Sequence, residues 1–82
     1  MRRGRTSLDT REVLESAEAA VSGLWDYLST KAAAEEVVAL VEGIDSEAAS
    51  EMREALMWAA RKGAVLAVLR RGVALLRGAM VG

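Results

Sequence analysis

Glu12, Glu15 and Glu18 recur at i, i+3 intervals, and Glu35–Glu36 and Glu51/Glu54 add further carboxylates. Such rows can do acid–base work when burial splits their pKa values. These residues lie beside polar positions of a surface helix, where water reaches all of them, so a solvated face is the plainer reading. The chain has no His and no Cys, which removes nearly every common zinc or iron site and the Glu-x-x-His ligand pair of di-iron bundles. Its glycines form neither a dinucleotide fingerprint nor a phosphate-binding loop, and no nucleophile elbow is present. No enzymatic activity, no cofactor and no metal site are expected.

The second set of chemically capable residues is cationic. The stretch "RKGAVLAVLRRGVALLRGAMVG" at 61–82 holds five cations and no acid. Guanidinium and ammonium groups on an apolar rod suit phosphates. Adenine is usually read by Asn or Gln, and neither occurs, so contact with nucleic acid is expected to be indifferent to sequence. Lys62, Arg70 and Arg77 share one side of a helix and are the phosphate candidates. Arg61 and Arg71 are divided between phosphate and neighbouring acids. Duplex DNA carries one charge per about 1.7 Å, so five cations would neutralise about 2.5 base pairs per subunit. The bland alternative pairs all of these cations with acids of the same or a neighbouring chain, and both readings stand. Trp25, Tyr27 and Trp58 could stack on single-stranded bases, but core or interface is the plainer role for each.

The net charge of −1 hides a division into blocks. Residues 1–6 carry Arg2, Arg3 and Arg5; residues 7–54 carry all twelve acids against Arg11, Lys31 and Arg53; residues 55–82 carry the five tail cations. Such a chain folds back on itself, binds a neighbour head to tail, or holds a polyanion. The basic "MRRGR" is followed by polar "TSLDTREVLESAE", with no apolar core of a secretory signal. A membrane span is not expected either. Eight Val or Leu in 63–82 contribute about −0.3 to −0.6 kcal/mol each, against about 2.5 to 3.5 kcal/mol for each Arg at the bilayer centre. A cationic membrane-surface helix would want one clean polar face, and the cations here spread around the axis.

The elements that position these groups are helical. Ala, Leu and Glu are plentiful, Pro is absent, and no period-2 alternation suggests strands. Asp9 or Thr10 can cap a first helix, in which Leu14, Ala17, Val21, Leu24 and Leu28 recur at 3,4,3,4 spacing as a packing seam. Ser29 or Thr30 offers a fresh cap before "KAAAEEVVALVEG", whose face is Ala34, Val37, Val38 and Val41 and whose stop is Gly43. That second helix carries three acids and one Lys, so a DNA groove would repel it. Asp45 or Ser46 then caps a long third helix, where Met52, Leu56, Ala59, Gly63 and Leu66 keep 4,3,4,3 spacing to about residue 80, with a bend possible at Gly63 or Gly72. The expected fold is an all-α helical hairpin: one domain over 1–82, with a basic tail at 1–8, an acidic arm of two helices at 9–43 and a long apolar, basic arm at 44–82. The main turn is at Gly43–Ser46.

A chain of 82 residues buries only about 60% of its unfolded surface, and without disulfides such scaffolds often rely on association. The tail is apolar almost all round, which calls for burial on most sides. Leu66, Leu69, Val73, Leu76 and Met80 are therefore expected at contacts with copies of the chain. The glycines are either weak points of the helix or, in the favoured reading, places such as Gly63 and Gly72 where helix axes approach closely.

An acidic amphipathic front, an apolar middle rich in small residues and cations in the closing stretch form a layout that resembles the major coat proteins of rod-shaped and filamentous DNA viruses. The Arg- and Val-rich, Lys-poor composition looks most like the clavaviruses, bacilliform viruses of archaea. The resemblance covers the whole chain in layout, through acids Asp9 to Glu54, apolar 63–69 and 72–76, and the five tail cations, without a diagnostic motif. It implies a capsid subunit of the virion that packs as a large homo-oligomeric helical array around DNA. Cations interrupt the apolar stretch here instead of following it, as they do in filamentous phages, which favours assembly from solution. The alternative is a small cytoplasmic, all-helical adaptor or interaction subunit, homo-oligomeric and without nucleic acid.

Overall fold

The computed structural model describes the backbone of residues 10–81 and the side chains of residues 10–79. Four helices and no strand occur among them: α1 (Thr10–Val21), α2 (Tyr27–Glu42), α3 (Ser46–Trp58) and α4 (Lys62–Val81). The all-α expectation holds. The basic tail at 1–8 and the possible cap Asp9 lie outside the described residues.

In α1 the buried side chains Val13, Leu14, Ala17 and Ala20 make one stripe, and Glu12, Glu15 and Glu18 stand on the exposed side. The helix ends where Gly23 adopts φ +87°, a left-handed conformation that costs glycine nothing. Its amide donates to the Ala20 carbonyl at 3.0 Å, and the Ser22 hydroxyl donates to the Ala19 carbonyl at 2.6 Å. The first helix therefore stops at Val21, about two turns short of the end of its expected seam at Leu28. Leu24 and Leu28, read as core, are exposed.

The cap of α2 is Asp26, not Ser29 or Thr30. Its carboxylate accepts the Ser29 amide at 2.7 Å, and the Thr30 hydroxyl donates to the Asp26 carbonyl at 2.7 Å. An acid at this position also faces the positive end of the helix dipole. Gly43 ends α2, its amide donating to Leu40 at 3.1 Å. Asp45 caps α3 by accepting the Ala48 amide at 3.0 Å. The chain does turn at Gly43–Ser46, but as one of three junctions between four helices and not as the main turn of a hairpin.

The long third helix does not run unbroken. It breaks at Ala59, which is extended at φ −76°, ψ 105°, and the chain re-enters helix at Lys62, just before Gly63. A continuous helix over 46–81 would run about 54 Å at 1.5 Å per residue, far beyond the longest dimension of this molecule, 36 Å. Half its apolar surface would have no partner within the chain. Breaking at 59–61 lets α4 turn back and bury Val65, Leu66, Val68, Leu69, Val73 and Leu76.

The result is a bundle in which α2 and α4 touch each other and both flanking helices, while α1 and α3 do not meet. The core joins Val13, Leu14 and Ala17 of α1, Val37, Val38 and Val41 of α2, Met52 and Leu56 of α3, and the α4 set. Gly72 marks the closest approach. A Cβ there would run into Val37 Cγ1 and lie 2.8 Å from Met52 Cε, so α4 can reach α2 and α3 only with a hydrogen at this position.

Candidate interaction surfaces

The tail cations do not form one patch. Lys62 reaches back to the α1–α2 loop, where its ammonium donates to the carbonyls of Gly23 at 2.8 Å and Trp25 at 3.0 Å. Arg71 pairs with Glu51 of α3 at 2.9 Å, and Arg77 pairs with Glu18 of α1. Both pairs are well exposed, where water and salt keep ion pairs modest. Of the five, Arg61, Lys62 and Arg70 have no acid in ion-pair range among the described residues, and Lys62 is held by the two carbonyls instead. Lys62, Arg70 and Arg77 are expected on one phosphate-facing side of the helix. Arg70 and Arg77 do line one cleft of about 530 Å³ between α1 and α4, with Glu18, Val21, Val73 and Ala74. Lys62 is at the other end of α4, committed to backbone oxygens.

The expected self-assembly residues are placed differently from their reading. Leu66, Leu69, Val73 and Leu76 are buried by the chain's own helices, so no copy is needed to cover them. Gly72 gives close packing as expected, but within the chain, against Val37 and Met52. Gly63 faces open space. The side chain of Met80 lies outside the described residues. An apolar helix signals that something covers it, and periodicity cannot tell whether that is the same chain or another.

What remains uncovered lies elsewhere. Apart from Ile44 in the α2–α3 turn, 48% exposed, the large apolar side chains left uncovered among the described residues are Leu24 at 88%, Leu28 at 74%, Met57 at 73% and Trp58 at 77%. Two elements bring them to one end of the bundle: the loop between α1 and α2, and the joint between α3 and α4. The Tyr27 hydroxyl donates to the Ala59 carbonyl at 2.7 Å, and the Lys62 ammonium clamps the loop from the other side of the joint. Trp25 and Tyr27 are half-buried and pack on the core, giving the exposed quartet a rigid base. Beside Met57 a groove of about 270 Å³ runs between α2 and α3, lined by Lys31, Glu35, Arg53 and Leu56. Lys31 lies 5.9 Å from the centre of the Tyr27 ring, within cation–π range. Sequence reasoning missed this end because it assigned Leu24 and Leu28 to a helix seam. The signal was Leu24–Trp25 following Gly23 directly.

Three carboxyl or guanidinium groups feel their partners. The Ser29 amide holds the Asp26 carboxyl below its ordinary value. The hydrogen bond from Arg53 lowers Glu42, and the same contact raises Arg53. These groups are at the surface and serve capping and pairing. Among the described residues no cluster of three or more His, Cys, Asp or Glu could hold a metal ion, and no helix is long and apolar enough to cross a membrane.

Comparison with family models, curated proteins and solved structures finds no match to this chain.

Proposed function

We propose that this protein is a structural subunit that acts by associating with copies of itself, not by catalysis. The observation that carries the reading is the apolar end, where four large side chains stay uncovered although the remaining core is closed. Large apolar side chains left exposed at one end of a small protein commonly mark a contact surface. Trp and Met, two residue types enriched at interface centres, are both present there.

A narrower form of this reading is a coat protein of a DNA virus, arrayed around the genome through sequence-independent phosphate contacts. It is supported by Arg61 and Arg70, exposed and without an acid among the described residues, and by Arg77 beside Arg70 in the α1–α4 cleft. Two uncommitted cations offset only about one base pair per subunit. Arg2, Arg3 and Arg5, outside the described residues, would then carry more of the load. In this form the protein belongs to the virion; as an adaptor without nucleic acid it belongs to the cytoplasm.

Absorbance of the purified, nuclease-treated assembly separates the two. A 260 nm excess that survives nuclease supports the coat, and Arg61→Ser with Arg70→Ser should deplete it. A nucleic-acid-free oligomer supports the adaptor and ends the DNA reading.

A further inference from the structure

Resting on the self-association reading, we propose that the apolar end is a two-fold contact between copies. Leu24, Leu28, Met57 and Trp58 of one copy face the same residues of a second.

Several observations select a second copy as the occupant. The rim carries both signs: Asp26 and Glu35 against Lys31 and Arg61. A surface of mixed sign is complementary to itself under a two-fold rotation, whereas a strongly acidic or basic partner would leave half of these charges opposed. The groove beside Met57 gives a large side chain, such as Trp58 of the second copy, a place between Lys31 and Leu56. Finally, the joint and loop are already fixed by Tyr27 and Lys62, so docking would order little additional backbone.

Single-stranded nucleic acid is the competing occupant, since Trp58 stands close in sequence to Arg61 and bases stack on exposed aromatics. It leaves Leu24, Leu28 and Met57 without a role.

Light scattering after size exclusion, at about 1–100 µM, tests the assignment with the wild-type chain and the double variant Leu24→Asp/Trp58→Asp. Both side chains are exposed, so circular dichroism should show the helices retained. The wild type is expected at twice the 8.7 kDa chain mass, and the variant at the single mass, with dimer affinity reduced at least about 100-fold. The milder Trp58→Ala should weaken the dimer without abolishing it. A wild type that stays monomeric throughout overturns both this proposal and the self-association reading. A double variant that dimerises as well as the wild type overturns the placement alone, leaving self-association through another face. Binding of an oligo-dT strand that quenches tryptophan in the wild type but not in Trp58→Ala, with the dimer unaffected by either variant, would assign the end to nucleic acid instead.

Discussion

The Tyr27 hydroxyl donates a 2.7 Å hydrogen bond to the carbonyl of Ala59, joining the first residue of α2 to the break between α3 and α4. Ala59 is buried and its carbonyl is outside regular helix, so this oxygen has few alternatives. Removing the hydroxyl with Tyr27→Phe should cost about 1–2 kcal/mol, or a melting temperature lower by several degrees. An unchanged denaturation midpoint would mean that the joint is held by packing alone.

Gly72 and Gly63 should respond to alanine with opposite signs. Helix propensity alone favours Ala by up to about 1 kcal/mol at either position. A methyl at residue 72 meets Val37 and Met52, while nothing lies within 4 Å at residue 63. Gly72→Ala is therefore expected to destabilise by about 1–3 kcal/mol, and Gly63→Ala to be neutral or stabilising. Adding Val37→Ala to Gly72→Ala should recover part of the loss, a non-additivity that a double-mutant cycle in urea reads directly. Equal effects at the two glycines would contradict the close approach of α4 to α2.

Leu69 is fully buried, so its truncation is a folding lesion. Leu69→Ala should cost about 2–5 kcal/mol, seen as a lower urea midpoint at any protein concentration. Loss of the oligomer with monomer stability unchanged would return Leu69 to an intersubunit contact.

Acid should weaken the fold through Asp26 and Glu42. Both have folded pKa values below their ordinary 3.8 and 4.5, because the Ser29 amide and the Arg53 guanidinium favour the ionised forms. The unfolded chain then binds more protons, so their contribution is fully present above about pH 5 and is lost as pH falls through the lowered values. Asp26→Asn keeps a capping oxygen but cannot titrate, and should flatten melting temperature against pH between about 5 and 2. A slope as steep as in the wild type would exclude Asp26 as a source.

Much of this fold is legible in the residues. Gly43 followed by Asp45 announces the α2–α3 turn, and the Val37, Val38 and Val41 face is core as its spacing requires. Two features hide. The seam from Leu14 to Leu28 keeps helical spacing through Gly23, so period alone conceals the loop that Gly23 and Asp26 make. Met52, Leu56 and Ala59 are likewise in phase with Leu66, and no Pro or Gly occupies 59–61, so the α3–α4 break leaves no local mark. It follows from the need of α4 for cover, a tertiary requirement. The same limit governs the cations. Their number and spacing are plain in the sequence, but the carbonyls of Gly23 and Trp25 that hold Lys62 come together only in the folded chain.

Self-association is tested most directly by sedimentation equilibrium of the wild-type protein over about a hundredfold range near micromolar concentration. The expected result is a concentration-dependent mass rising from 8.7 kDa to twice that value. A single species of 8.7 kDa at every concentration would contradict it.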